Sequence, residues 1–162
     1  MTGTADLDPL AEAQRLLDHI SGKDDTTPTM RSLAERLDAF MYALRFVLRN
    51  SVACVPEFET DRPTDYLEDY KSWRNIIGPR FPDLGFYWSA LSSCITSEMP
   101  EVGTGDAIDD LADIAQELAV VESHLNAYGR KDALSALRMA YEIHLHMHVV
   151  PLRAHLEELI FE

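Results

Sequence analysis

The feature that most constrains the fold of this chain is an apolar residue at every third or fourth position along its longest segments. The pattern is clearest between residues 31 and 52, where the apolar positions are Leu33, Leu37, Phe40, Met41, Leu44, Val47 and Leu48. Residues at this spacing share one face of an α-helix, which is then buried against other helices. No stretch alternates with period two for long enough to suggest a sheet, and residues 97–106 are expected to form a plain loop. We therefore expect an all-α fold.

Local signals predict where the first two helices begin and end. Asp8 and Pro9 suit the start of a first helix, and Gly22 suits its end. Ser32 and Glu35 have the spacing of a capping box, which places the start of the second helix near them.

Three further helices follow. We predict a third over about 64–77, a fourth from about 106 to Gly129, and a fifth over about 132–159. Pro151 should kink the fifth helix, because proline lacks the backbone N–H and clashes with the preceding turn.

The length and the turns indicate one domain. A chain of 162 residues can bury about 68–70% of its unfolded surface, so it needs neither a metal nor a disulfide to fold. We expect residues 1–162 to form a single-domain helical bundle of about five or six helices. Residues 1–28 would form a loosely attached first helix and a flexible linker, and residues 29–162 the main bundle. The very short turn between Tyr128 and Lys131 forces the last two helices into an antiparallel hairpin.

The charge of the chain excludes several classes of partner. It has 28 acidic and 14 basic side chains, a formal net charge of −14. Such a surface repels nucleic-acid phosphates and anionic lipid, so we expect neither nucleic-acid nor membrane binding. The two cysteines, Cys54 and Cys94, fit reduced thiols of a cytoplasmic protein. The N-terminal residues lack the basic and apolar regions of a secretory signal.

The stretch YEIHLHMH, residues 141–148, carries three histidines at alternate positions. At about 100° per residue, His144 and His148 lie on the apolar face of the last helix, one turn apart, whereas His146 points the opposite way. In the predicted hairpin, residues equidistant from the turn meet. His148 should therefore lie near Asp110, and His144 near Ile114.

These residues define a candidate metal site. Two imidazoles at positions i and i+4 can hold one cation, and a carboxylate on a facing helix can complete the set. As a metal site, His144 and His148 would bind a divalent cation, with Asp110 or Asp113 as a further ligand. Glu142 is the candidate base or outer-shell partner, although it lies about 100° off the inner stripe. The zinc-protease and ferritin-like motifs are both missing.

Two other interpretations of the histidines stay open. His144 and His148 can be core residues, neutral or paired with carboxylates, or they can act in acid–base catalysis. If they are buried and neutral, the fold should lose stability as the pH falls through about 6.

Three short segments resemble a family of small bacterial helical proteins known only as a domain of unknown function. They are DDLADI (109–114), FPDLGFY (81–87) and YEIHLHMH (141–148). The likeness covers most of the chain from about residue 29 onward. It implies an all-helical cytoplasmic protein and brings no activity, substrate or cofactor with it. His146 and Pro151 depart from the family pattern. The family's aspartate motif maps onto Asp109, Asp110 and Asp113. Its motif in the last helix maps onto Glu142, His144 and His148.

Two functions follow as hypotheses. The first is a non-enzymatic interaction or regulatory module with a protein partner or a second copy of itself. The alternative is a metal-dependent enzyme of hydrolase type that uses the inward His/Asp/Glu cluster of the last two helices.

Overall fold

The computed structural model describes residues 8–50, 66–90 and 102–161 of the chain. It confirms the all-helical class, with the addition of one small hairpin of strands. The elements in chain order are α1 (Pro9–Ser21), α2 (Met30–Asn50), α3 (Tyr66–Arg80), β1 (Phe86–Ala90), β2 (Val102–Asp106), α4 (Ala107–Tyr128), α5 (Arg130–Ala140), a π-helical segment (Tyr141–Leu145) and α6 (His146–Phe161). Cys54 and Cys94 lie outside the described residues. Within them, no helix is both long and apolar enough to cross a membrane.

The ends of α1 follow the predicted signals, whereas the start of α2 does not. The Asp8 side chain accepts a hydrogen bond from the Leu10 N–H, and Gly22 ends α1 in the left-handed conformation. Helix α2 begins at Met30, and its cap is formed by Thr29 and Ser32. The Thr29 N–H donates to Ser32 Oγ at 2.9 Å and the Ser32 N–H donates to Thr29 Oγ1 at 3.0 Å. The capping box is therefore real, but it lies three residues earlier than the pair Ser32 and Glu35.

Helix α1 is part of the core, in contrast to the loosely attached helix that the sequence predicts. Leu16, Leu17 and Ile20 are at most 1% exposed, and α1 packs against both α2 and α4. The linker was expected to be flexible because it is polar. Two of its side chains, those of Asp24 and Thr26, contact the buried His19 of α1, five and seven positions away.

The buried side chain of His19 ties this linker to the bundle. Its Nδ1 lies 2.8 Å from Asp24 Oδ2, and its Nε2 lies 3.1 Å from Ser32 Oγ. A serine, a histidine and an aspartate in this order resemble a catalytic triad. However, Ser32 Oγ is engaged by the Thr29 cap and His19 is only 1% exposed, so the arrangement is structural.

A two-stranded antiparallel hairpin corrects the expectation of no sheet, and that of a plain loop at residues 102–106. Residues 97–101 of the predicted loop lie outside the described residues. Strand β1 pairs with β2 so that Tyr87 lies opposite Gly105 and Trp88 opposite Thr104. Each strand has five residues, too short for a period-two pattern to be distinguished in the sequence. The glycines of β2 also weaken its strand signal.

The last helix carries an irregularity at residues 141–145 that the sequence did not predict. The chain is π-helical over these five residues, and α6 then continues through Pro151 to Phe161. A proline removes one donor from a helix, and packing on both sides of that point can hold the rest in place. Helix α3 likewise extends past its predicted end, through Gly78 and Pro79 to Arg80.

We predict that Leu17→Ala lowers the free energy of unfolding by about 2–5 kcal/mol, because it leaves a cavity beneath α1 in a core that cannot fully collapse. Urea unfolding followed by circular dichroism measures the change. Phe161→Ala, at the end of α6 and 79% exposed, is the control with little effect expected. A loss below about 1 kcal/mol for Leu17→Ala would indicate that α1 is loosely attached after all.

Candidate metal centre

Helix α4 and the last helices form the predicted antiparallel hairpin, which brings the aspartates of α4 to the histidines. The turn is a single residue, Gly129, with a φ of +88° that favours glycine. Beside it, the buried His124 and Asp132 side chains join the two helices by a hydrogen bond. This turn sets the register between α4 and everything that follows it.

The first histidine contact is the one that the hairpin predicts. His148 Nδ1 lies 2.8 Å from Asp110 Oδ1. A carboxylate can only accept a hydrogen bond, so this ring nitrogen carries the proton and Nε2 is left with a lone pair. The other oxygen of Asp110 accepts a hydrogen bond from the Tyr87 hydroxyl.

The second histidine contact differs from the prediction. His144 Nδ1 lies 3.1 Å from Glu117 Oε1, rather than against Ile114, which is buried in the core. Glu117 was missed by the sequence reasoning, although Asp110, Asp113 and Glu117 follow one another at i, i+3 and i+7. That acidic stripe on one helix face was the signal that could have identified it.

The two imidazoles face each other through their remaining nitrogens. His144 Nε2 and His148 Nε2 are 3.0 Å apart, and the ring planes are 79° from parallel. When both Nδ1 atoms donate to carboxylates, both Nε2 lone pairs point at the same small volume. Two unshared pairs at this distance would repel each other, so the contact is favourable when one of the two nitrogens carries a proton.

Asp113 adds a carboxylate to this point of convergence. Its Oδ2 lies 3.7 Å from His148 Nε2. One ligand atom each from Asp113, His144 and His148 can be chosen so that all lie within 4.8 Å of one another. Burial raises the pKa of the Asp113 carboxyl, even though the two histidines act to lower it. Folding therefore favours the protonated form of Asp113.

The carboxylates around His148 also change its titration. Burial by itself would lower the pKa of His148, but the hydrogen bond to Asp110 and the charges of Asp113, Asp110 and Glu117 raise it above its usual value. This direction is the opposite of that expected for a buried neutral imidazole.

The β-hairpin positions Tyr87 over the cluster. A Cβ atom at Gly105 would clash with the Tyr87 ring, so only glycine at this cross-strand position lets the ring pack there. The ring also stacks on His155, with centroids 4.8 Å apart, and His155 Nε2 donates to the Leu84 carbonyl at 2.6 Å. Burial and the hydrogen bond to Asp110 raise the pKa of Tyr87, so its hydroxyl remains a donor.

Other candidates from the sequence lie elsewhere. The Glu142 carboxylate pairs with Arg138 Nε at 2.8 Å on the exposed side of the helix. His146 is also exposed, and its Nδ1 donates to the Tyr141 carbonyl at 2.9 Å. Asp109 pairs with Arg74, away from the imidazoles. The site that the structure assembles thus contains four of the predicted residues, Asp110, Asp113, His144 and His148, together with Glu117 and Tyr87.

Comparison of the chain with known proteins found no match. No family model, no curated protein and no solved structure matches the chain. The resemblance to a family of small bacterial helical proteins therefore stays a prediction.

The raised pKa of His148 predicts how stability depends on pH in metal-free buffer. A raised pKa means that the folded state holds this proton more tightly than the unfolded state. The stabilisation is then fully present below the ordinary value of 6.5 and is lost as the pH rises through the folded-state pKa. We expect the wild-type protein to exceed His148→Gln in unfolding free energy most at pH 5.5–6.5, and less toward pH 9. Urea titrations at each pH measure the difference, with the exposed His146→Gln as control. A difference that grows with pH would contradict the carboxylate pairing.

Proposed function

We propose that this protein binds one divalent transition-metal ion through His144 Nε2, His148 Nε2 and the Asp113 carboxylate, and that it is a metal-dependent enzyme of hydrolase type. The observation that carries the proposal is the convergence of two imidazole lone pairs, each ring being held from behind by its own carboxylate. Metal-binding histidines are typically oriented in this way by an outer carboxylate.

The spacing of the donor atoms fits a single ion. Two nitrogens bound at about 2.1 Å with angles of about 90–109° lie about 3.0–3.4 Å apart, and the observed separation is 3.0 Å. The Asp113 oxygen is slightly too distant, at 3.7 Å from His148 Nε2, and a small side-chain rotation would bring it in. Two imidazoles and one carboxylate suit zinc, iron(II), manganese or nickel better than calcium or magnesium.

The environment of the site fits a catalytic metal better than a structural one. Three protein ligands leave coordination positions free, and the His144 side chain is 28% exposed, so water has access. A metal in such a site supplies an activated water molecule at neutral pH. The protein's own contribution is orientation: Asp110 and Glu117 fix the rings of His148 and His144, and Tyr87 fixes Asp110.

A second candidate function, an interaction or regulatory module, is favoured by a different observation. The outer side of the last helix carries a row of exposed apolar residues, and such a row is typical of a surface covered by a partner. For both functions we place the protein in the cytoplasm, since two cysteines among 162 residues are too few for a disulfide framework.

We expect the untagged protein, dialysed against zinc or manganese, to retain about one ion per chain by elemental analysis. His144→Ala/His148→Ala and Asp113→Asn should each abolish this binding, because each removes at least one of three ligands. His146→Ala is the matched control and should keep it. Since burial raises the pKa of Asp113, Asp113→Asn should not lower the melting temperature of the metal-free protein, which separates a lost ligand from a lost fold. Absence of binding in the wild-type protein, or full binding by Asp113→Asn, would refute the site.

The outer carboxylates should have a graded effect. We predict that Asp110→Asn and Glu117→Gln each lower metal affinity by about 10–100-fold while the stoichiometry stays the same, because they orient ligands without being ligands. Isothermal titration against a competing chelator measures the affinity. Glu122→Gln, on the same helix, should leave it unchanged. Equal loss in all three variants would point to general destabilisation of α4.

Activity is tested with the loaded protein on chromogenic ester and phosphoester substrates. Turnover that depends on the added metal and is lost in Asp113→Asn supports the hydrolase. If the protein binds a stoichiometric metal but turns over no substrate class, the metal site is supported and the hydrolase activity is rejected.

A further inference from the structure

The last helices of the bundle expose a continuous apolar row to solvent. We call the outer row the side chains of Met139, Ile143, Met147 and Val150, which are 40%, 66%, 53% and 48% exposed. Their spacing of four, four and three residues keeps them on one side of the helix across the π-helical segment. The four side chains therefore form a ridge parallel to the helix axis and are not scattered over the surface.

The opposite side of the same helix is already buried. Val149, Leu152 and Leu156 are fully buried in the core, where α6 packs against α2 and α4. A helix that is apolar on all sides is normally covered on all sides. Within residues 8–50, 66–90 and 102–161, only the inner side of α6 is covered by other elements. The outer row therefore has the composition of a helix face that lacks a partner among the described residues.

We propose that a second copy of this chain covers the outer row, with the two last helices antiparallel about a two-fold axis. The axis would pass midway along the row, between His144 and Leu145, and set Met139 of one copy against Val150 of the other. Such an arrangement is self-complementary, because each contact occurs twice.

The charges at the two ends of the helix favour this antiparallel orientation. Lys131 lies near the beginning of α5 and Glu158 near the end of α6, and both are exposed. The two residues are equidistant from the proposed axis, at 13.5 positions on either side of it. In the antiparallel dimer each Lys131 therefore lies at the same height along the interface as Glu158 of the second copy, whereas a parallel dimer would bring like charges to the same height.

The length of the helix is sufficient for a modest interface. From Lys131 to Glu158 the helix is about 40 Å long, and at a width of about 12 Å it offers on the order of 500 Å² per copy. This is below the ~800 Å² per partner of a standard stable complex. We therefore expect a dimer with a dissociation constant in the micromolar range, on the order of 1–100 μM.

The net charge of −14 per chain makes ionic strength informative. Two copies repel each other at long range, and salt screens this repulsion. Dimerisation through an apolar row should therefore strengthen between 50 mM and 500 mM salt. Binding of a basic partner to the same surface would weaken instead.

The experiment is sedimentation equilibrium of the full chain with a chelator present, so that the exposed His146 cannot bridge two copies through stray metal. We expect a concentration-dependent dimer. Ile143→Glu should raise its dissociation constant by more than about tenfold, since the charge is buried twice per dimer. Trp88→Glu is the matched control, an exposed apolar residue (79% exposed) on the hairpin outside the outer row, and it should leave the dimer intact. Circular dichroism checks that both variants fold.

A charge exchange tests the orientation. Lys131→Glu and Glu158→Lys alone should each weaken the homodimer, and a mixture of the two variants should form a heterodimer preferentially, because both end contacts are then of opposite sign. The proposal is overturned if the protein is monomeric at every protein and salt concentration. It is overturned equally if such a monomer binds a cationic amphipathic peptide at the outer row. A dimer unaffected by Ile143→Glu also overturns it, and a mixture without heterodimer preference overturns the antiparallel arrangement.

Discussion

The site and the C-terminal half of the bundle depend on one packing constraint, the antiparallel pairing of α4 with the helices that follow it. The single-residue turn at Gly129 leaves no freedom to choose another neighbour, and the His124–Asp132 bond beside it is buried. The register set there brings Asp110 against His148, 38 positions apart in sequence. A slip of one residue on either helix would turn the carboxylates by about 100° and separate them from the imidazoles.

The polar cluster lies at a point where a helical bundle would otherwise place apolar side chains. Three carboxylates, two imidazoles and a tyrosine share a partly buried volume, and burial raises the pKa of both Asp113 and Tyr87. Such groups are costly unless each is paired. Each ring nitrogen and the carboxylates of Asp110 and Glu117 do have a partner, and Asp113 lies 3.7 Å from His148 Nε2.

The last helix presents two chemically different sides. Its inner side carries His144 and His148, and its outer side carries the apolar row that includes Ile143 and Met147. Adjacent residues therefore serve opposite sides, as the helical period requires. Because the proposed metal ligands and the outer row do not share side chains, substitutions can remove one feature without changing the composition of the other.

The sequence by itself determined what depends on neighbours along the chain. The apolar periodicity predicted the helical class. Helix ends were predicted from Asp8, Gly22 and Gly129. The short turn, together with a rotation of about 100° per residue, predicted the contact between His148 and Asp110. Contacts between residues distant in sequence needed the tertiary structure. They include the pairing of two five-residue strands, the close approach of Tyr87 over Gly105 and the choice of Glu117 for His144. In each case the stabilising contact is made by a group that becomes a neighbour only after folding, so no local pattern of residues could predict it.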